Sequence, residues 1–116
     1  MEKLELLKPG RTYRIVEHAN GDEVLFFEFE NKLYFQTLIG RHLAPVCEIL
    51  AIQLKPAKVE LVLRFFDESQ IPEKYRAKLY LPLSNLLNSY TKAMNKRYGR
   101  KGSLFQKRFE REEISI

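Results

Sequence analysis

Two apolar runs near the middle of the chain stand only four residues apart, and this spacing restricts the fold more than any other feature. The first run covers residues 46–54 and the second covers residues 59–65. The link between them, Lys-Pro-Ala-Lys, has proline where a tight turn accepts it. The pattern predicts a central antiparallel hairpin. We expect its first strand to be buried on both faces, because its apolar residues are nearly continuous.

Five further segments have the periodicity of a strand or a helix. In chain order they predict a strand, a short extended piece, a helix, a short second helix and a longer third helix, at residues 12–16, 24–27, 31–43, 73–81 and 83–99. The resulting order β-α-β-β-α predicts an α+β fold, in which helices pack on an antiparallel sheet. A length of 116 residues is appropriate for a single domain, residues 1–116.

The net charge of +5 is concentrated at the end of the chain. Residues 1–91 contain twelve basic and twelve acidic side chains, whereas residues 92–116 contain eight basic and three acidic ones. No acidic residue occurs between Asn88 and Phe109, where Tyr98 and Phe105 stand among basic residues. Such a segment suits single-stranded nucleic acid, because cations bind phosphates and rings stack on unpaired bases. The predicted DNA-binding residues are Lys92, Lys96, Arg97, Arg100, Lys101, Lys107 and Arg108; a solvated basic tail is the alternative.

Several functional classes find no support in the sequence. The lone Cys47 cannot form an internal disulfide, and no apolar stretch approaches the length of a membrane span. We therefore expect a cytoplasmic protein without a membrane partner. The only histidines, His18 and His42, lie in different segments without a second metal ligand beside them. There is no phosphate-binding glycine loop and no Ser-His-Asp or Cys-His arrangement.

Four segments, in order, resemble the REP-associated tyrosine transposases and their single-tyrosine insertion-sequence relatives. They cover residues 13–28, 30–46, the central hairpin, and 83–109. The last contains Leu-Asn-Ser-Tyr-Thr-Lys-Ala-Met-Asn-Lys-Arg-Tyr-Gly and then Gly-Ser-Leu-Phe-Gln-Lys-Arg-Phe, and it is the most specific match. The resemblance spans nearly the whole chain. It implies a ferredoxin-like sheet with packed helices, and hairpin or single-stranded DNA as the partner. The family continues into further secondary structure beyond the matched segments.

The central hairpin includes the strand that holds the metal in this family. The family pattern there is Leu-Met-Pro-Asn-His-hydrophobe-His, whose histidines hold Mg²⁺ or Mn²⁺ against the scissile phosphate. Here the segment is Leu-Lys-Pro-Ala-Lys-Val-Glu, so Lys58 and Glu60 occupy the histidine positions. Residues two apart on a strand share a face, but a lysine ammonium cannot ligate a cation. We therefore expect no metal cofactor, and a local ion pair between Lys58 and Glu60 instead.

Tyr90 matches the family's nucleophile by position, and the resemblance implies that it faces the metal strand. A phenol has a pKa of about 10, so it becomes a nucleophile only where its surroundings activate it. Tyr90 shares an apolar helix face with Leu86, Leu87 and Met94. Without metal ligands nearby, we expect packing in the core to be its role.

These observations predict a transposase-like DNA-binding domain for hairpin or single-stranded DNA, in which nicking and strand transfer are inactive. The alternative is a repurposed protein-interaction module that forms a homodimer and has no role with DNA. In that case a free edge of the sheet would pair with another chain. An active enzyme with a different set of metal ligands is the third and least favoured hypothesis.

Overall fold

The computed structural model describes residues 6–115, and within them it contains four strands and three α-helices. In chain order these are β1 (Thr12–His18), α1 (Phe29–Leu43), β2 (Cys47–Leu54), β3 (Lys58–Phe65), α2 (Glu73–Arg76), α3 (Tyr80–Tyr98) and β4 (Glu110–Glu113). A single 3₁₀ turn, Glu68–Gln70, precedes α2 in this part of the chain.

The four strands form one antiparallel sheet in the order β2-β3-β1-β4. In the centre of the sheet, Ile15 of β1 lies opposite Leu61 of β3 on one side and Arg111 of β4 on the other. The strand order and the positions of α1 and α3 along the chain together form the ferredoxin-like arrangement. The predicted α+β fold class and the central hairpin are therefore confirmed.

The core lies between one face of the sheet and the helices α1 and α3. Along β3, Val59, Leu61, Leu63 and Phe65 are almost fully buried, whereas the residues between them are partly or fully exposed. Successive side chains of a strand point to opposite faces, so the buried set faces the helices. We call this the helix face of the sheet and the opposite side its open face.

The start of α1 and the end of α3 each contain a residue that suits a helix terminus. At the start of α1, the side-chain oxygen of buried Asn31 accepts hydrogen bonds from the backbone N–H groups of Phe27 and Glu28, at 2.8 and 2.9 Å. At the end of α3, Gly99 has φ 62°, the left-handed conformation that glycine adopts without steric cost. These two termini lie close together and form one border of the candidate site described below.

The prediction that β2 is buried on both faces was wrong. β2 is an edge strand, and its side chains Leu50 and Ile52 are 43% and 38% exposed. The strand also has a bulge between Ile49 and Ala51, which interrupts the alternation of faces. An apolar run identifies a strand but not its place in the sheet, and at an edge such a run remains partly in water.

Three further boundaries differ from the predictions. Residues 24–27 form an irregular segment instead of a strand, although Leu25 and Phe26 are buried in the core. The short helix α2 ends at Arg76, and α3 begins at Tyr80, so that Pro82 lies in the first turn of α3, where a missing N–H is tolerated. β4 was not predicted, because Glu-Arg-Glu-Glu has little intrinsic preference for a strand.

No helix in residues 6–115 combines the length and the apolar character needed to cross a membrane.

Candidate nucleic-acid interface

Lys58 and Glu60 lie on the open face of the sheet, since they alternate along β3 with buried Val59 and Leu61. Glu60 forms its ion pair with Arg14 of the neighbouring strand β1, with 2.5 Å between Oε1 and Nε. The expected pair between Lys58 and Glu60 is therefore replaced by a cross-strand pair, which the antiparallel register brings into range. Within the described residues, no group of three or more His, Cys, Asp or Glu side chains is arranged to hold a metal ion.

Tyr90 is fully buried on the other side of the sheet. Its phenol oxygen donates a hydrogen bond of 2.6 Å to the backbone carbonyl of Leu25. Its ring packs edge-on against Phe35, with 4.9 Å between centroids, and contacts Phe26 and Phe105. Burial, and to a smaller extent the neighbouring Tyr98, raise the pKa of the phenol well above its ordinary value. These surroundings stabilise the neutral phenol and suit a packing role.

The sheet therefore separates Tyr90 from the side chains of Lys58 and Glu60. Tyr90 packs against the helix face, whereas Lys58 and Glu60 project from the open face. The resemblance implies that Tyr90 faces the strand that carries Lys58 and Glu60, and in the structure these two side chains lie on the face of that strand directed away from Tyr90. The physical reason is the helical spacing of Leu86, Tyr90 and Met94, all buried, which places the ring in the core.

The seven predicted DNA-binding residues fall into two groups. Arg97 bonds to Glu28 and Glu30, at 3.2 and 2.9 Å, and Arg100 bonds to Glu23 and Asn95. Both arginines therefore tie the end of α3 to the segment around the start of α1. The other five side chains are exposed and have no acidic partner among residues 6–115: Lys92, Lys96, Lys101, Lys107 and Arg108. We call these five the free basic set.

The aromatic residues of the basic segment are less available than the sequence suggested. Phe105 is buried, and the half-buried Tyr98 bonds through its hydroxyl to Glu28. The exposed rings belong to the segment that precedes α1: Phe27 is 52% exposed and lies 5.0 Å from Tyr98 between centroids, and Phe29 is 71% exposed. Sequence reasoning missed this pair because it lies about 70 positions from the basic segment.

A cavity of about 680 Å³ opens between α3 and the segment 103–109 that returns the chain to the sheet. Polar side chains of α3 form one wall and the returning segment forms the other, with Lys107 and Arg108 at exposed positions of the lining. The α3 wall includes Ser84, Asn88 and Thr91. Two members of the free basic set therefore border this cavity.

Glu17 of β1 lines this cavity from the helix face of the sheet, and sequence reasoning missed it. Its side chain is 2% exposed, and neither carboxyl oxygen has a hydrogen-bond partner. Burial, followed by the nearby charge of Glu110, raises the pKa of Glu17 to about 8. The available signal was the alternation of Tyr13, Ile15 and Glu17 along one face of a strand, which places a carboxyl group in the core.

Comparison with known proteins adds one finding about the fold. No protein-family model matches the sequence, and no curated protein matches it. Among solved structures, a REP-associated tyrosine transposase bound to a REP hairpin is similar over 100% of this chain, with a TM-score of 0.63 and 15% sequence identity. The aligned region is 64% of the transposase chain, so this chain spans less than two thirds of its length. The chain therefore has a transposase-like fold.

Proposed function

We propose that this chain binds hairpin or single-stranded DNA through the free basic set and does not cleave it. The observation that carries the proposal is that five exposed cations, on α3 and the segment after it, have no acidic partner among residues 6–115. Unpaired cations bind phosphates and release the counterions condensed on DNA, which is the main source of affinity for nucleic acid. The transposase of similar fold was solved with a hairpin, and this supports the choice of ligand.

The open face of the sheet is a less suitable surface for DNA. Arg14 pairs there with Glu60, and Arg64 pairs with Glu48. Because each of these cations already faces a carboxylate, a phosphate would have to displace that partner. Lys107 and Arg108 face no such competition, so we place the DNA backbone along the side of the molecule where α3 and the segment 103–109 meet.

The absence of cleavage is proposed on two grounds. Tyr90 is buried and bonded to a backbone carbonyl, so its oxygen has no path to a phosphate. Lys58 occupies a position where a metal-dependent enzyme of this fold would need a ligand, and its ammonium group repels cations. A phenol without activation and a site without a metal ligand together leave the strand-transfer reaction unsupported.

The test is binding of a labelled DNA hairpin with a single-stranded flank, across a salt series from about 50 to 200 mM, with and without Mn²⁺. We expect affinity that falls steeply with salt and no cleaved product. A variant in which Lys107 and Arg108 are both replaced by Ala should bind more weakly and with a shallower salt dependence. Absence of binding at low salt would overturn the binding proposal, and a product that needs Mn²⁺ and Tyr90 would overturn the inactive assignment.

A second candidate function, self-association without DNA, is favoured by the edge strand β2. Residues 49–54 contain no charged side chain, and the partly exposed Leu50 and Ile52 lie on a strand whose outer edge pairs with no other strand of residues 6–115. Charged residues at an edge normally prevent pairing with another chain. Sedimentation would detect a dimer, and Ile52→Lys should dissociate it. A monomer at high protein concentration would exclude this candidate.

A further inference from the structure

The cavity beside α3 is lined by a third cation, Arg111 of β4, which is half-buried, whereas Lys107 and Arg108 are exposed. The Nε atom of Arg111 is buried and has no hydrogen-bond partner within residues 6–115. Its guanidinium group lies over the Phe109 ring, with 4.1 Å between Cζ and the ring centroid. Because buried polar atoms nearly always have a partner, this N–H indicates a ligand that accepts a hydrogen bond.

Arg111 and Arg108 bring two positive charges close together. Burial, followed by the charge of Arg108, lowers the pKa of Arg111 from its ordinary value. Neither guanidinium group forms an ion pair within the described residues. Like charges that converge without a counterion are unfavourable, and an anion between them removes the repulsion. A phosphate suits this arrangement, because a guanidinium group can donate two parallel hydrogen bonds to its oxygens.

The wall formed by α3 supplies neutral hydrogen-bond donors. Ser84, Asn88 and Thr91 stand four and three residues apart, so they lie on one face of the helix. Their hydroxyl and amide groups form no hydrogen bond with residues 6–115 and can donate to phosphate oxygens. The lining thus has positive charge on one wall and neutral donors on the other.

Glu17 is the acidic residue of this lining, and its charge decides whether Arg111 is free to bind an anion. The two lie diagonally on the helix face, since Arg111 is opposite Ile15 in the register. An ion pair between them would lower the pKa of Glu17. In the structure the guanidinium group lies on Phe109 instead, and burial, followed by the charge of Glu110, raises the pKa of Glu17 to about 8. At neutral pH the carboxyl group is therefore mostly protonated and leaves Arg111 available.

We infer that the cavity binds one phosphate of an unpaired DNA strand through Arg111, and that this contact distinguishes single-stranded from double-stranded DNA. Arg111 is half-buried in a recess of about 680 Å³. A duplex is stiff and carries its phosphates on the outside, so it reaches only exposed cations, whereas an unpaired strand can bend into the recess. The inference rests on the proposed DNA binding and deepens it, because it names the residue that selects the unpaired strand.

The experiment compares one labelled hairpin in two forms, with its flank unpaired and with the same flank paired to a complementary strand. The wild type should bind the unpaired form roughly tenfold more tightly, as expected for one charge-assisted contact. Arg111→Gln should bind both forms within about twofold of each other, and its slope of log K against log salt for the unpaired form should decrease by about 0.7. Equal binding of both forms by the wild type, or an unchanged preference in Arg111→Gln, would overturn the inference.

Two matched variants separate this contact from a general effect of charge. Lys96→Gln removes an exposed cation of α3 outside the cavity lining, so it should weaken the binding of both forms by a similar factor. Arg64→Gln removes an arginine of the open face that pairs with Glu48, so both affinities should stay within about twofold of the wild type. Loss of the preference in either variant would contradict the assignment to Arg111.

Glu17→Gln tests whether Glu17 pairs with Arg111 in solution. Because the wild-type carboxyl group is protonated at neutral pH, this variant should have the affinity and the preference of the wild type. A gain in affinity for the unpaired form would show that Glu17 holds Arg111, and it would overturn the inference.

A change in the DNA locates the phosphate without changing the protein. Flanks are prepared in which a single phosphate is replaced by an uncharged methylphosphonate, one position at a time. At one position the replacement should weaken binding to the wild type roughly tenfold and have no further effect in Arg111→Gln, because the partner is already absent. Wild-type affinity that is equal at every position would overturn the inference.

The NMR signal of the Arg111 Nε–H, identified by its loss in Arg111→Gln, keeps the two proposals distinguishable. We expect a downfield shift on titration with a short oligothymidylate, because the N–H gains an acceptor. Hairpin binding without this shift would overturn the inference alone, and the shift without hairpin binding would overturn the proposed function alone. A shift with inorganic phosphate but not with the oligothymidylate would indicate a site for free phosphate and would also overturn the inference.

Discussion

The phenol oxygen of Tyr90 donates a 2.6 Å hydrogen bond to the backbone carbonyl oxygen of Leu25, which lies 65 residues earlier in the chain. This bond ties α3 to the irregular segment between β1 and α1, at a point where both residues are fully buried. A segment without regular secondary structure needs such partners, because its buried carbonyl groups have none in a helix or sheet. Tyr90 therefore explains how residues 24–27 are held in the core.

Replacing Tyr90 by Phe should reduce the free energy of unfolding by roughly 1–2 kcal/mol, because the buried carbonyl of Leu25 would lose its donor. Urea denaturation measures this change. Tyr34→Phe is the matched control: the Tyr34 ring lies 6.4 Å from that of Tyr90, and its hydroxyl has no hydrogen bond within the described residues, so the expected change is below about 0.5 kcal/mol. Hairpin affinity should not change in either variant. A large loss of affinity in Tyr90→Phe without a loss of stability would contradict the packing role.

The sequence predicted the parts of this molecule that depend on local pattern. The central hairpin followed from two apolar runs joined by a short turn, and the burial of Tyr90 followed from its helical spacing. The pairing of Arg97 with Glu28 and Glu30 could not be predicted, because the partners are almost 70 positions apart and meet only in the folded chain. β4 was missed for a similar reason: its pairing with β1 stabilises a segment that has little strand preference of its own.

Glu17 was missed although its signal was present. The alternation of Tyr13, Ile15 and Glu17 along β1 places all three on one face of the sheet, but the sequence alone does not show which face the helices cover. The face that the helices cover depends on the packing of α1 and α3. With that face known, the acidic residue on it is the most unusual feature of the core.

Introducing histidines at positions 58 and 60 should create metal affinity without creating nuclease activity. In the double variant Lys58→His with Glu60→His, two imidazoles would share the open face, and His18 lies opposite position 58 in the register. We expect measurable binding of Co²⁺ by calorimetry, absent from the wild type. We expect no cleavage of a hairpin, because Tyr90 remains on the other side of the sheet. Cleavage that disappears on adding Tyr90→Phe would contradict the separation of the two faces.

Glu17 should make the stability of the protein decrease as pH rises. Its pKa is about 8 in the folded chain and near 4.5 in the unfolded chain, so between these values the folded state binds more protons. The free energy of unfolding should therefore fall across this window, by roughly 3–5 kcal/mol in total, and change little above it. Urea denaturation at pH values from about 5 to 8.5 measures the effect.

Glu17→Gln is the reference for this measurement, because it keeps the shape and cannot ionise. The charged groups around the cavity, Glu110, Lys107, Arg108 and Arg111, are present in both proteins, as are His18 and His42. The difference between the two stability curves therefore isolates the Glu17 proton. A difference that does not vary with pH would show that Glu17 ionises at its ordinary pKa.

The distinction between free and paired arginines predicts different effects on DNA binding. Arg108→Ala removes an exposed cation without an acidic partner, and it should weaken hairpin binding and reduce the slope of log K against log salt by about 1. Arg97→Ala removes a cation that already bonds to Glu28 and Glu30, and its effect on the slope should be much smaller. Fluorescence anisotropy at several salt concentrations measures both. Equal slopes in the two variants would mean that ion pairing does not determine which cations contact DNA.

Replacing either of two exposed glycines near helix ends by alanine should change the stability of the protein, in opposite directions. Gly99 has φ 62° and ends α3, so Gly99→Ala should reduce the free energy of unfolding by roughly 1–2 kcal/mol through backbone strain, although a Cβ there would meet no atom within 4 Å. Gly40 lies within α1, also with open space around a Cβ, so Gly40→Ala should stabilise the fold by roughly 0.5–1 kcal/mol. Urea denaturation of both variants tests the pair. Neither new side chain would touch a neighbour. A destabilised Gly40→Ala variant would therefore show that α1 ends before residue 40 in solution, and an unchanged Gly99→Ala variant would show that α3 ends at another residue.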